Sequence, residues 1–142
     1  MTESFQLERV SWPARLESLP LVQEYVENLA QRSGINGKRL IQLSVALEEV
    51  VVNIINHAYG QAGRGDILVG FDDQAETVVI SLVDRGLAFN PLEATEPNVE
   101  MGLLDRPIGG LGIMMVKKLM DEVRYERRNN ENILYLTLNK NV

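Results

Sequence analysis

The spacing of hydrophobic residues predicts two helices in the first part of the chain. Apolar positions recurring every three or four residues are typical of a helix that packs one face on a core. They occur at Leu19, Val22, Val26 and Leu29. Ser18 precedes this stripe as an N-cap candidate, and Gly34 follows it as a C′ residue. After an Asn-Gly turn signal, a second and longer helix is expected over about 38–57.

Alternating hydrophobic and polar positions predict strands in the rest of the chain. A short edge strand is expected at 5–12, closed by Pro13, before the helices. After them, a hairpin, a third helix that opens at a run of glycines, and a second hairpin are expected. The hairpin strands are predicted at 67–71 and 78–82, joined by 72–76, and at 123–127 and 133–138, joined near Asn129-Asn130.

This order of elements predicts the fold class. Hairpin connections dominate, so the sheet should be mostly antiparallel, with the helices packed on one face. We therefore expect an α+β two-layer sandwich, rather than a doubly wound parallel sheet, with a single domain over 1–142. The segment 91–109 shows no period, and an aperiodic segment of that length is typical of a lid or binding loop.

Composition and charge exclude several classes of function. The net charge of −6 disfavours a nucleic-acid partner, whose phosphates attract basic surfaces. There is no cysteine and only one histidine, so disulfides and zinc clusters are not expected. The N-terminus lacks the features of a signal peptide, and no run of about 18 apolar residues indicates a membrane span. We expect a cytoplasmic protein without direct nucleic-acid or membrane binding.

The second predicted helix carries a polar stripe in an otherwise apolar stretch. Glu49, Asn53 and Asn56 are spaced to share one face, while Glu48 is rotated by about 100°. An Asn53 oxygen suits Mg²⁺, and Glu49 could accept a proton from an attacking hydroxyl. Asn56 would add a further polar group for a nucleotide. The alternative interpretation is an ordinary solvated face.

A first glycine motif, Asp84-x-Gly86, ends the second predicted strand. A carboxylate fixed there could accept a hydrogen bond from the exocyclic amine of adenine, and the glycine lets the backbone approach a flat ring. Phe89 could pack beside that ring. Taken alone, Asp-x-Gly is more typical of an ordinary turn that closes a strand.

A second glycine motif opens the third predicted helix, at Gly109-Gly110-Leu111-Gly112. Exposed backbone N–H groups and the helix dipole favour anions at such a position, which suits nucleotide phosphates. A flexible hinge is the alternative interpretation. The chain lacks the phosphate-loop motif and the dinucleotide-binding fingerprint.

Together, these motifs resemble the GHKL (Bergerat-fold) ATP-binding superfamily, and within it the bacterial anti-sigma-factor serine/threonine protein kinases. The stretch 46–59 is similar to the N-box, which implies that Glu49 is the base and that Asn53 binds Mg²⁺. The stretch 84–91 is similar to the first glycine box, with Asp84 as the adenine-binding aspartate. The stretch 110–112 is similar to the second glycine box, which closes the lid.

The resemblance implies an ATP- and Mg²⁺-dependent kinase that phosphorylates a small antagonist protein and sequesters a sigma factor by partner switching, as a homodimer. Two alternatives stay open. One is an ATP-dependent binding module with little or no phosphotransfer, which would keep the same ATP site. The other is a detached histidine-kinase catalytic domain, disfavoured because no phosphoacceptor helix precedes the ATP-binding motifs and the single histidine, His57, lies inside the N-box stretch.

Overall fold

The computed structural model describes residues 8–58, 65–93 and 110–140. Within these ranges the chain forms three α-helices and five strands. The helices are α1 (Leu19–Arg32), α2 (Lys38–Asn53) and α3 (Gly110–Leu119). The strands are β1 (Arg9–Pro13), β2 (Asp66–Asp73), β3 (Thr77–Asp84), β4 (Glu122–Arg128) and β5 (Glu131–Asn139).

The five strands form one sheet in the order β1-β2-β3-β5-β4, and every neighbouring pair is antiparallel. Both predicted hairpins are therefore confirmed. The β4–β5 hairpin turns at Asn129 and Asn130, which adopt positive φ angles of 54° and 64°. Asparagine tolerates this left-handed conformation better than most residues, and two-residue hairpin turns require it. Across the two central strands, Asp84 pairs with Asn132.

The helices lie on one face of the sheet, with α2 between α1 and α3. The core forms where their apolar stripes meet the inward rows of the strands. On α2 the buried apolar residues are Leu43, Ala46, Leu47, Val50 and Val51, and on the strands they include Ile67, Val69, Ile80, Leu82, Leu134, Leu136 and Leu138. A smaller cluster of Val83, Ile133 and Tyr135 lies on the opposite face. The predicted two-layer α+β sandwich is confirmed.

Several element boundaries differ from the sequence predictions, and each of the four hairpin strands is longer than predicted at both ends. Pro13 is the last residue of β1 and not the residue after it. Ser18 precedes α1 as predicted, but its hydroxyl donates to the Pro13 carbonyl at 2.6 Å and not to the helix. It therefore ties the strand to the helix. Gly34, with φ of 104°, follows α1 in the left-handed conformation expected of a C′ glycine.

The predicted second helix changes its geometry before its end. The α-helix stops at Asn53, and Ile54–Ala58 form a turn of π-helix. By length and composition, Lys38–His57 could cross a membrane. In the fold, this apolar character is explained by the buried side of α2, which packs on the sheet between two other helices.

Candidate functional site

A cleft opens between the C-terminal end of α2 and the ends of three strands. Its walls are mostly apolar, with a few polar side chains, which is the usual composition of a small-molecule site. The lining residues are Val50, Asn53, Ile54, Leu82, Asp84, Phe89, Pro91, Tyr125, Asn132 and Leu134. A flat aromatic base fits such walls, provided that a polar group reads its edge.

Asp84 is the carboxylate in this cleft, and it is only 5% exposed. Its Oδ1 accepts hydrogen bonds from the Gly86 backbone N–H at 3.0 Å and from Asn132 Nδ2 at 2.8 Å. Burial raises the pKa of Asp84, while these two donors and the charge of Arg127 act in the opposite direction. Both hydrogen bonds end on Oδ1, so Oδ2 is the oxygen left to accept from a ligand.

Asn132 is a buried polar residue of the cleft that the sequence analysis did not identify as a candidate. Its amide is 5% exposed and makes four hydrogen bonds. Nδ2 donates to Asp84 Oδ1 and, also at 2.8 Å, to the Leu87 carbonyl. Oδ1 accepts from the Phe89 backbone N–H at 3.2 Å and from the Tyr125 hydroxyl. One side chain therefore holds both Asp84 and the segment that follows it.

A sequence signal for Asn132 did exist. It begins the inward row of β5, which continues through Leu134, Leu136 and Leu138. A polar residue in an otherwise apolar inward row is expensive unless it has partners, so such a position is a site candidate. Asn132 lies only two residues after the Asn129-Asn130 turn, where a polar residue is ordinary, so this signal was not recognised.

The segment after β3 forms the outer wall of the cleft. The Gly86 carbonyl accepts a hydrogen bond from Arg127 Nη1 at 2.9 Å. The ring of Phe89 stacks on that of His57, with centroids 5.1 Å apart and planes at 22°. Phe89 lines the cleft, and His57 packs on it from the π-helical turn. That Phe89 packs beside a base stays a prediction.

Glu49 lies one helical turn before Asn53 on α2, against the start of α3. A Cβ atom on Gly112 would overlap Glu49 Oε2 and lie 2.8 Å from Cδ. The absence of a side chain at Gly112 therefore makes room for the Glu49 carboxylate. Glu48, by contrast, is exposed. The structure brings Glu49, and not Glu48, to the second glycine motif.

Asn53 lines the cleft and is 8% exposed. Within the described residues its side chain makes no hydrogen bond, so its amide oxygen is available to a ligand. Asn56 is exposed and does not line the cleft. Its prediction assumed regular α-helix, but the π turn that begins at Ile54 changes the rotation per residue. The role of Asn56 stays a prediction.

The second glycine motif is only partly described. Gly110, Leu111 and Gly112 form the first turn of α3, which confirms that a helix begins there. Gly109 and most of the predicted lid, 94–109, lie outside the described residues. Pro91–Glu93, at the start of that segment, form a 3₁₀ turn.

The donor set suits Mg²⁺ better than a transition metal. No group of three or more His, Cys, Asp or Glu side chains able to hold a metal occurs in the described parts of the chain. Mg²⁺ commonly takes only one or two protein oxygens and completes its shell with phosphates and water. The amide oxygen of Asn53, which bonds to no residue in the described part of the chain, fits that requirement.

Residues 12–138 match the family described as histidine kinase-like ATPase domain. The chain is 29% identical over 117 residues to the serine-protein kinase RsbW of Oceanobacillus iheyensis, covering 79% of this chain and 73% of the relative. It is 26% identical over 113 residues to the serine/threonine-protein kinase BtrW of Bordetella bronchiseptica, with 80% of each chain covered.

Solved structures share the fold. The catalytic domain of the histidine kinase ThkA superposes with a TM-score of 0.57 and 16% identity, covering 94% of this chain and 97% of that domain. A structure of RsbU and RsbW domains from Mycobacterium tuberculosis gives a TM-score of 0.58 and 16% identity, over 92% of this chain and 32% of that longer one. At these identities the similarity is one of fold.

Proposed function

Because the chain belongs to the histidine kinase-like ATPase domain family, we propose that it is an ATP-dependent kinase of serine or threonine in a partner protein. One observation carries this proposal. The buried Asp84 and the free amide of Asn53 line one cleft, and Glu49 lies one helical turn from Asn53, about 6 Å along the axis. We call the Asp84–Asn132 side the adenine end, and Glu49, Asn53 and Gly112 the phosphate end.

The adenine end would recognise the base. The apolar walls, including Val50, Ile54 and Leu134, cover the faces of the ring, while Asp84 Oδ2 accepts from its exocyclic amine. Water is kept away from that hydrogen bond because Asp84 is almost fully buried. The base is therefore anchored at a fixed distance from α2.

The phosphate end would carry the transfer. Asn53 would supply a ligand to Mg²⁺, which neutralises phosphate charge when bound. Glu49 takes the proton of the attacking Ser or Thr hydroxyl as that oxygen bonds to the γ-phosphorus and the bond to the β-phosphate oxygen breaks, releasing ADP. The first turn of α3 offers backbone N–H groups to the phosphates.

The partners are proposed from the family resemblance, whereas the names of the relatives support only the kinase activity. The substrate would be a small antagonist protein, and a sigma factor would be bound in the alternative state. We propose that the protein acts as a homodimer in the cytoplasm. The second candidate function, an ATP-dependent binding module, keeps the adenine end and differs only in whether Glu49 is used.

Labelled ATP tests the proposal. The purified protein, the Glu49→Gln variant and a candidate antagonist are incubated with γ-labelled ATP and Mg²⁺. Label on a Ser or Thr of the antagonist with wild type only is the expected result. Nucleotide-dependent binding of the partner without label would replace the kinase with the binding module. Absence of ATP binding would overturn both.

A second variant tests the role of Asn53. Asn53→Ala should weaken ATP binding in Mg²⁺, yet leave binding in EDTA nearly unchanged, because only the metal ligand is lost. Calorimetry in the two buffers separates these effects. An equal loss in both would show that Asn53 holds the cleft and not the metal.

A further inference from the structure

The orientation of the Asn132 amide is fixed by two backbone groups. The Leu87 carbonyl can only accept, so the group 2.8 Å from it must be Nδ2. The Phe89 N–H can only donate, so the group 3.2 Å from it must be Oδ1. Neither backbone group can reverse its sense, and the amide cannot flip without losing both bonds. The Asn132 side chain therefore always presents its Nδ2 donor, and not its oxygen, to Asp84.

This orientation determines what Asp84 can offer to a ligand. Its Oδ1 receives two N–H groups, from Asn132 and Gly86, so a proton on the carboxyl must sit on Oδ2. Within the described residues Oδ2 makes no hydrogen bond. When Asp84 is ionised, Oδ2 can only accept; when it is protonated, Oδ2 donates. The charge state of Asp84 thus decides which chemical group is bound.

Adenine and guanine differ at this point. Adenine presents an amine donor where guanine presents a carbonyl acceptor. We propose that Asn132 is the positioning residue that sets nucleobase specificity, by holding Asp84 as a pure acceptor that selects adenine and rejects guanine. This inference rests on the proposed ATP site and adds the residue that makes its carboxylate selective.

The surroundings of Asp84 give Asn132 this influence. Burial raises the pKa of Asp84, so its ionised form depends on the groups that face it. These are the Asn132 amide on β5, the Gly86 N–H, and, from β4, the cationic Arg127. The Tyr125 hydroxyl on β4 donates to Asn132 and so supports the same orientation.

The test compares ATP with GTP affinity in variants of the full chain. Asn132→Asp keeps the shape but puts a second carboxyl against Asp84, and Asn132→Leu removes the donor without adding charge. Asn130→Asp, in the exposed turn of the same hairpin, is the matched control for charge. Calorimetry should show the preference for ATP over GTP falling about tenfold or more in both Asn132 variants, but not in Asn130→Asp. NMR titration of the free protein should show the Asp84 pKa rising in both Asn132 variants.

The outcomes separate this inference from the proposed function. Thermal denaturation first establishes that each variant is folded. An unchanged ATP-to-GTP ratio in a folded Asn132 variant overturns the inference while leaving the ATP site in place. An equal change in Asn130→Asp would reduce it to a general effect of charge, which also overturns it. A wild-type protein that binds neither nucleotide would overturn the proposed function and this inference together.

Discussion

The adenine end and the phosphate end, of which only Asn53 lines the cleft, are built in opposite ways. At the adenine end, Asp84 and Asn132 are nearly buried, and the amide uses all four of its hydrogen-bonding positions within the protein. At the phosphate end, Glu49 is half-buried, and neither it nor Asn53 makes a side-chain hydrogen bond to a described residue. A network whose polar groups are all hydrogen-bonded is rigid, whereas unpaired polar groups can still bond to a ligand. Under the proposed function, the group that recognises the base would be held in place before ATP binds, whereas the phosphate end would be completed only by its ligands.

The largest effect should come from the phosphate end. Glu49→Gln keeps the shape of the side chain but cannot accept the proton, so phosphotransfer should slow by about 10²–10⁴-fold while ATP affinity stays near that of wild type. Single-turnover transfer measured beside ATP titration checks both. Glu48→Gln, one residue away and exposed, is the matched control and should change neither. Normal phosphotransfer by the Glu49 variant together with lost phosphotransfer by the Glu48 variant would assign the base to Glu48.

Gly112→Ala should act through Glu49. The added methyl would overlap the carboxylate, which can swing away because it ends a flexible side chain. Displacement of a catalytic group by about 1 Å costs about 10²-fold in rate, whereas the melting temperature should change little. In the double variant with Glu49→Gln, the two losses should not add, since both act on one group. Additive losses would show that Gly112 acts independently of Glu49.

At the adenine end, Asp84→Asn should alter the choice of base. The two donors that now meet Oδ1 would turn the new amide so that its NH₂ faces the ligand. ATP affinity should fall roughly 10- to 100-fold, and the preference should shift toward GTP. Asp72→Asn, on the neighbouring strand and outside the cleft, is the control. Titration with both nucleotides would reject the assignment of Asp84 if the ATP-to-GTP ratio stayed the same.

The smallest effect concerns stability and pH. Burial raises the pKa of Asp84 in the folded state above the ordinary value of 3.8. The folded protein therefore binds a proton at Asp84 more readily than the unfolded chain does. Stability from this group therefore falls as pH rises from 3.8 through the folded-state pKa. Asp84→Asn should remove this slope and raise the melting temperature at neutral pH. Denaturation of both proteins across that range measures it, and parallel curves would contradict it.

These contrasts also explain what the sequence could predict. Apolar periodicity was sufficient for the helices, both hairpins and the layer order, because each depends on local spacing. Glu49, Asn53 and Asp84 were selected as candidates for a similar reason, and their roles stay predictions. Their residue types suit a known chemistry at positions that neighbours along the chain determine. For Glu49 over Glu48, helical rotation alone gave the side that faces α3.

The features that sequence reasoning missed depend on long-range contacts or on small energy differences. Asn132 meets Asp84 across 48 positions of sequence, through a strand register that no local pattern specifies. The π turn after Asn53 has no marker residue, since Ile54 and the residues that follow would also suit an α-helix. That turn is why the prediction for Asn56 rested on the wrong geometry.

The register of β5, the strand that follows the Asn129-Asn130 turn, decides which of its side chains face the cleft. Neighbouring residues of a strand face opposite sides, so Asn132 meets Asp84 while Glu131 points away to ion pairs with Arg9 and Arg85, at 3.0 and 3.3 Å. A shift of β5 by one residue against β3 would exchange these two side chains and put a carboxylate opposite Asp84. The register between β3 and β5 therefore decides whether an amide or a carboxylate faces Asp84.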